Sequence, residues 1–338
     1  MSFLLRKPPN VNLKSLATLL RFATTIAAKP FPDDPTAAYY DELASAAAGS
    51  GDFHVLGDVL NKRIQDGFLN TKRTFNFITH SNFSPTLLDD IVKTLSQLNQ
   101  GVTRRNALDC LVTRLCRLRR ADDAVRVIES MAHGGICAPS ACTFYPVLSF
   151  LTREKSFEHA RRVVDLMAEL GVGLDLMAHN IFLMAYCFAG DLDAAAGVLR
   201  RMEEEGVAAD TRTFDALVLG ACKAGKVEGA LVVLRRMLDD GVPMLYSTHM
   251  YIIGTLLRMK CYEHAMKYVR IFLGKDTLLD AELLGCLASK LVNLNRHKEA
   301  MSILVQMKQR RVPMGYKLHD FYEKNVGNEM EQKIDGGV

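Results

Sequence analysis

Residues 211–245 read TRTFDALVLGACKAGKVEGALVVLRRMLDDGVPML. Phe214, Leu217, Val218 and Ala221 recur at i, i+3, i+4 and i+7, the spacing that lines one face of a helix. Gly225 and Lys226 interrupt this pattern. A second stripe then runs through Val227, Ala230, Leu231, Leu234, Met237 and Leu238. Gly241 sits where a C-cap glycine belongs, and Pro243 prevents continuation. The stretch predicts two helices joined by a tight turn.

The same frame extends in both directions. Alanines fall at Ala124, Ala160, Ala195, Ala230, Ala265 and Ala300, with spacings of 36, 35, 35, 35 and 35. Seven residues after each comes Met131, Met167, Met202, Met237, Phe272 or Met307. Four residues further, glycine recurs at Gly135, Gly171, Gly206 and Gly241. The alanine has a steric reading, since a small side chain lets paired helices approach closely. One such hairpin cannot bury its apolar faces alone, so neighbouring hairpins must stack into a continuous core. The expected fold is an all-α solenoid of helix-turn-helix repeats, about 35 residues each. It replaces the two globular domains that a length of 338 residues would suggest.

The repeats are 105–140 (one residue longer), 141–175, 176–210, 211–245, 246–280 and 281–315. A weaker repeat fits 37–71, with Gly51-Asp52-Phe53 at its turn. Residues 72–104 form a shortened, degenerate one that starts from Thr74-Phe75-Asn76. Residues 316–338 remain as a C-terminal tail.

Charge locates a separate leader. The formal charge is +4, but residues 1–32 hold Arg6, Lys7, Lys14, Arg21 and Lys29 and no acid. Without those five cations the remainder stands at −1, so the body is not basic. Leu13, Leu16 and Leu20 at helical spacing, with Ser2, Ser15, Thr18, Thr24 and Thr25, give the leader a cationic, amphipathic, hydroxyl-rich composition. Such composition marks an organellar transit peptide. Pro30, Pro32 and Pro35 make a linker, so residues 1–36 are read as transit peptide and linker. The expected compartment is the mitochondrion, with the chloroplast as alternative. No stretch approaches the ~20 consecutive apolar residues of a membrane-spanning helix, so membrane insertion is not expected.

Thr213-Phe214-Asp215-Ala216-Leu217, the run Ala221 to Ala230, and Met237 to Val242 resemble the pentatricopeptide repeat family. Ala178 to Phe182 and Ala189 to Ala195 repeat the resemblance one frame earlier. Tetratricopeptide repeats have a period of about 34 and favour an early Trp. Here the period is 35 and Trp is absent. The resemblance covers about 37–315 and is to the P-type plant organellar members. It implies a right-handed superhelical α-solenoid that binds single-stranded RNA, about one base per repeat.

The resemblance also implies site residues. The fifth and last residues of a repeat read the base, and the second packs against it. In 176–210 these are Asn180, Asp210 and Met177, a combination that implies uracil preference. An Asn amide offers both donor and acceptor to a base edge, and a nearby carboxylate can orient it. Other fifth and last residues are Asp109 with Ser140, Tyr145 with Asp175, and Asp215 with Leu245. Met250 and Gly285 offer no side-chain hydrogen bond, so one repeat in six fits the code well.

The thirteenth residues are Arg117, Arg153, Phe188, Lys223, Arg258 and Asn293. Four are basic, and cations in register can track RNA phosphates. Helix C-termini favour Lys and Arg in any case. Basic density is local as well, since 104–120 holds six Arg against Asp109 alone.

Cys116, Cys187 and Cys222 share the twelfth position and read as small core residues. There is no CxxC pair for structural zinc and no Walker loop. No metal, cofactor or intrinsic enzyme is expected, and the residues after 315 are too few for an appended catalytic domain. The function that follows is an RNA-binding adaptor for processing, stability or translation of mitochondrial transcripts. Its partners would be mitochondrial mRNA or rRNA, and ribosomal or other organellar proteins. The alternatives are a structural or accessory subunit of the mitochondrial ribosome, and a protein-binding solenoid scaffold without RNA.

Overall fold

The computed structural model describes residues 35–274 and 276–335, with side chains up to residue 325. The expected leader lies almost wholly outside these residues. All regular structure among the described residues is helical, in sixteen helices.

The chain divides into two compact units, one ending at Ala178 and the other starting at His179. The N-terminal unit holds α1 (Ala37–Gly49), α2 (Phe53–Gln65), α3 (Pro85–Ser96), α4 (Val102–Arg117), α5 (Ala121–His133), α6 (Ala141–Arg153) and α7 (Phe157–Glu169). Helix α8 (Leu176–Ala189) runs across the boundary. The C-terminal unit continues with α9 (Leu192–Glu204), α10 (Thr211–Lys223), α11 (Val227–Asp239), α12 (Tyr246–Arg258), α13 (Tyr262–Phe272), α14 (Thr277–Asn293), α15 (His297–Gln309) and α16 (Tyr316–Asp335).

Within each unit the helices stack in pairs. Helix α4 packs on α5 and on α6, and α10 packs on α11 and on α12. The recurring alanines and methionines lie buried on the second helices of these pairs. Ala124, Ala160, Ala230, Ala265 and Ala300 are fully buried, as are Met131, Met167, Met237 and Met307. A methyl group at the alanine position lets the paired backbones approach, and the flexible thioether fills the space about two turns further along.

The turn inside each pair is built by backbone hydrogen bonds. After α10, Gly225 N–H donates to Cys222 O at 3.3 Å and Lys226 N–H to Ala221 O at 2.9 Å. These two bonds close a Schellman motif, which requires φ near +60° at its pivot, and Gly225 has φ 70°.

The degenerate repeat differs most from the regular pattern. Residues 72–84 form turns in place of a first helix, and α3 is the helix of that repeat. Local polar side chains explain the loss. Asn82 Nδ2 donates to Phe77 O at 2.6 Å, and Thr79 N–H donates to Asn82 Oδ1 at 2.7 Å. Such bonds offer the backbone an alternative to helix. Phe75 and Ile78 nonetheless stay buried in the core.

Three boundaries shift from the sequence frame. Helix α4 starts at Val102, ahead of residue 105. Helix α14 starts at Thr277, ahead of 281, because the Asp276 side chain accepts from Leu278 N–H and caps it. The residues read as a tail fold as α16, which packs on α14 and α15. Leu318, Phe321 and Tyr322 give α16 an apolar stripe at i, i+3 and i+4. Leu318 is buried and the two aromatics pack on the core. No helix among the described residues is long and apolar enough to cross a membrane.

Candidate nucleic-acid interface

The fifth residues lie inside the first helices, Tyr145, Asn180, Asp215 and Met250 about one turn from the N-terminus and Asp109 and Gly285 about two. The side chains of Asp109, Tyr145, Asn180 and Asp215 meet the start of the next first helix. Asn180 Nδ2 donates to Asp210 Oδ1 at 2.9 Å, and Thr213 Oγ1 donates to Asn180 Oδ1 at 2.8 Å. Asp210 also starts α10, accepting from the backbone N–H of Arg212 at 3.0 Å and of Thr213 at 2.9 Å. Burial acts to raise the Asp210 carboxyl, but the bonds from Thr213, Asn180 and Arg212 together hold it below the usual aspartate range. With one edge on Thr213 and the other on Asp210, the amide plane of Asn180 is fixed. A second Nδ2 proton and a second Oδ1 lone pair complete the hydrogen-bonding capacity of this amide. Asn180 is 6% exposed, so a base would approach through a narrow opening. Met177, three residues before Asn180, is half-buried.

The other expected readers are held differently. Asp215 is buried, and both oxygens are taken: Thr248 Oγ1 donates to Oδ1 at 2.7 Å and Ser247 Oγ to Oδ2 at 2.9 Å. Thr143 Oγ1 donates to Asp109 Oδ1 at 2.7 Å, and burial raises the Asp109 carboxyl despite that bond and the nearby Arg105. Ser140 caps α6, with its N–H donating to Thr143 Oγ1 at 3.1 Å. Tyr145 OH donates to Asp175, which also accepts from Ala178 N–H at 3.0 Å as the cap of α8. Burial, then the Asp175 carboxylate, push the Tyr145 phenol well up.

A device not read from the sequence emerges here. The fifth residue of one repeat accepts a hydrogen bond from the threonine at the third position of the next. It occurs at Asp41 with Thr74 at 2.8 Å, as well as at Asp109, Asn180 and Asp215. All four threonines are fully buried. The signal was visible, since Thr213 and Thr248 stand one period apart. In the first repeat Asp41 is further held by Arg63 Nη1 at 2.6 Å.

The expected phosphate contacts sit at the C-terminal ends of first helices, and all four are exposed. Arg117 Nη1 donates to Lys72 O at 3.3 Å, and Arg153 Nε to Ser149 O at 3.0 Å. Lys223 Nζ lies 4.2 Å from the ring centroid of Phe188, itself exposed at the thirteenth position of the preceding repeat. Arg258 Nη2 donates to Cys222 O at 3.2 Å. The dense Arg run of 104–120 is largely structural. Arg104 donates to Leu98 O and Ile136 O, and Arg114 to Ile78 O and Asn76 O. Arg120 lies over the Phe83 ring at 3.6 Å and pairs with Asp123. Cys116, Cys187 and Cys222 are buried, and burial pushes the Cys187 thiol up to about 11.

Helix pairs repeated at a fixed period, carrying one hydrogen-bonded register from repeat to repeat, define an all-α repeat solenoid. The family model described as pentatricopeptide repeat-containing protein matches residues 79–202, and the one described as PPR repeat matches 205–238. Two mitochondrial pentatricopeptide repeat-containing proteins of Arabidopsis thaliana are each 43% identical. One covers 87% of this chain and 85% of its own length, the other 85% and 82%. The chain belongs to the pentatricopeptide repeat family. Among solved structures, the repeat protein PPR10 in complex with an 18-nt psaJ RNA element superposes with a TM-score of 0.50 at 19% identity. That match covers 91% of this chain but 44% of PPR10, and it shows the fold alone.

Proposed function

We propose that this protein is an RNA-binding adaptor of plant mitochondria that supports processing, stability or translation of mitochondrial transcripts. The observation that carries this reading is the Asn180–Asp210 pair. It fixes an amide so that one N–H remains for a base carbonyl, and uracil presents two such carbonyls. The exposed cations Arg117, Arg153, Lys223 and Arg258 add a sequence-independent attraction for phosphates. The RNA complex of PPR10 and the mitochondrial names of the Arabidopsis relatives support the ligand class and the compartment. Residues 1–36 then act as the presequence and 37–315 as the RNA-binding array. Asp109, Ser140, Tyr145, Asp175 and Asp215 are weaker readers in this proposal, because their polar atoms are already engaged within the protein. The partner is single-stranded mRNA or rRNA, with ribosomal or other organellar proteins joining it.

Crosslinking of the full chain to RNA in mitochondria, followed by sequencing, tests the proposal. Discrete transcripts enriched over a mock sample, with uracil at one footprint position, are the expected result. Absence of enrichment overturns RNA binding. A footprint that keeps its uracil in Asn180→Ala combined with Asp210→Asn overturns the role of the pair.

A further inference from the structure

Each helix pair needs one residue in the left-handed region at its internal turn. Seven residues fill that place among the described residues: Gly51, Arg119, Lys155, Gly190, Gly225, Lys260 and Asn295, with φ from 56° to 83°. A side chain is disfavoured there, because its Cβ crowds the following carbonyl. The turns that follow the second helices make the same demand. They meet it with glycine at Gly67, Gly135, Gly171, Gly206, Gly241 and Gly274, and with Arg311 in the last repeat. So the chain uses glycine almost throughout at one class of turn. At the other it accepts strain at four of seven positions, and three of those four are cations.

Those three cations are placed with others. Arg119, Lys155 and Lys260 each follow a thirteenth-position cation by two residues: Arg117, Arg153 and Arg258. Where the turn holds Gly225, Lys223 and Lys226 flank it. All of these side chains are exposed. Hydrogen bonds show that successive turns lie on one edge. In the N-terminal unit Arg119 reaches across to Glu154 in the next turn. In the C-terminal unit Arg258 reaches back to Cys222 O beside the Gly225 turn. Glu154 pairs with Arg119, and Asp122, Asp123, Glu158, Glu228 and Glu263 open the helices after these turns. Counting Arg117, Arg119, Arg120, Arg153, Lys155, Lys223, Lys226, Arg258 and Lys260 against them, cations still outnumber carboxylates by five to four in the N-terminal unit and by four to two in the C-terminal unit.

We propose that the turn edge of each compact unit is a phosphate-binding strip for the backbone of single-stranded RNA, retained at the expense of backbone strain. This rests on the RNA-binding reading above and adds Arg119, Lys155, Lys226 and Lys260 to the surface. A strip of this kind gives affinity without sequence preference, which suits a chain with one well-formed base reader.

The test compares the full chain with the triple variant Arg119→Gly, Lys155→Gly, Lys260→Gly, by melting temperature and by fluorescence anisotropy with a labelled oligouridylate across a salt series. Glycine relieves the strain while deleting the charge. The expected result is a higher melting temperature with weaker binding, and a slope of log K against log salt lower by about 2, near 0.7 per lost contact. A second triple variant with Asn at the three positions removes charge with a residue that Asn295 shows the turn accepts. It keeps the test valid should the glycine variant fail to fold. Unchanged affinity and slope in the folded variant overturn the strip and leave the RNA reading standing. Failure of the wild-type chain to bind any single-stranded RNA overturns both, and binding of a protein partner alone, insensitive to RNase, does the same.

Discussion

Asn180 Nδ2 and Asp210 Oδ1, on the fifth and last residues of one repeat, meet at 2.9 Å, and the same oxygen accepts the Thr213 N–H that starts α10 in the next repeat. One carboxylate therefore caps the first helix of the next repeat and orients the amide of its own. Alanine at 210 would remove both roles at once. Asparagine keeps a capping side chain and removes the charge, so Asp210→Asn isolates the electrostatic part, worth about 1 kcal/mol.

The pH dependence of that difference follows from the lowered Asp210 carboxyl. A depressed folded-state value contributes stability above the ordinary aspartate value of about 4, and loses it as pH falls through the lower folded value. Urea midpoints of wild type and Asp210→Asn should differ at neutral pH and converge under acid. Curves that stay parallel down to pH about 2 would contradict the assignment.

Asp109 should show the opposite sign. Burial raises its carboxyl, so its ionised form opposes folding at neutral pH and the opposition vanishes below the unfolded value. Asp109→Asn retains an acceptor for Thr143 Oγ1 and removes the buried charge. The variant should be more stable than wild type at pH 7, with the gain lost as pH falls below about 4. Equal midpoints at neutral pH would show that Arg105 already compensates the charge.

Arg114 holds the turn segment that replaces a first helix. Its guanidinium donates to Ile78 O at 2.9 Å through Nε and to Asn76 O through Nη2 at 3.2 Å. Those carbonyls have no helical partner, so Arg114→Ala should destabilise the N-terminal unit by about 1–3 kcal/mol. Arg114→Lys should not restore it, because an ammonium lacks the planar fork. Limited proteolysis reads the effect directly as faster cleavage between residues 72 and 84. Unchanged cleavage would place the burden on Phe75 and Ile78 instead.

The fold was legible because its signal repeats: Ala230 and Met237 in one frame predict Ala265 and Phe272 in the next, and all four are buried. The segment 72–84 was less legible, since its Asn and Thr bonds are local chemistry without a period. Helix α16 escaped for a similar reason, as a single apolar stripe has no second copy to confirm it. At the candidate site, sequence position named Asn180 and Asp210 as a pair, and the side chains do meet. It said nothing of Thr248 and Ser247 occupying Asp215, because fifth-position register does not reveal which oxygens the next repeat has already taken. Nor did charge density separate Arg114, bonded to carbonyls, from Arg117 on the exposed edge.

Close packing between repeats gives a last prediction at Gly220. A Cβ built there would stand 2.9 Å from Cys187 Sγ and 3.3 Å from Leu192 Cδ2. Gly220 lies in α10 with helical φ, so backbone strain is not the issue and the constraint is steric. Both neighbours are in the C-terminal unit, and Cys187 is buried at 1% exposure, with no room to swing outward. Gly220→Ala should therefore cost about 1–3 kcal/mol by overpacking, despite the higher helix propensity of alanine. Cys187→Ala deletes the nearest atom, Sγ, and leaves the residue-187 Cβ and Leu192 Cδ2 at 3.3 Å, so combined with Gly220→Ala it should recover part of the loss. Chemical denaturation of the two single variants and the double gives the coupling energy. Strict additivity would mean that the first helices of neighbouring repeats are free to separate, and that the register holding Asn180 against Asp210 does not depend on this contact.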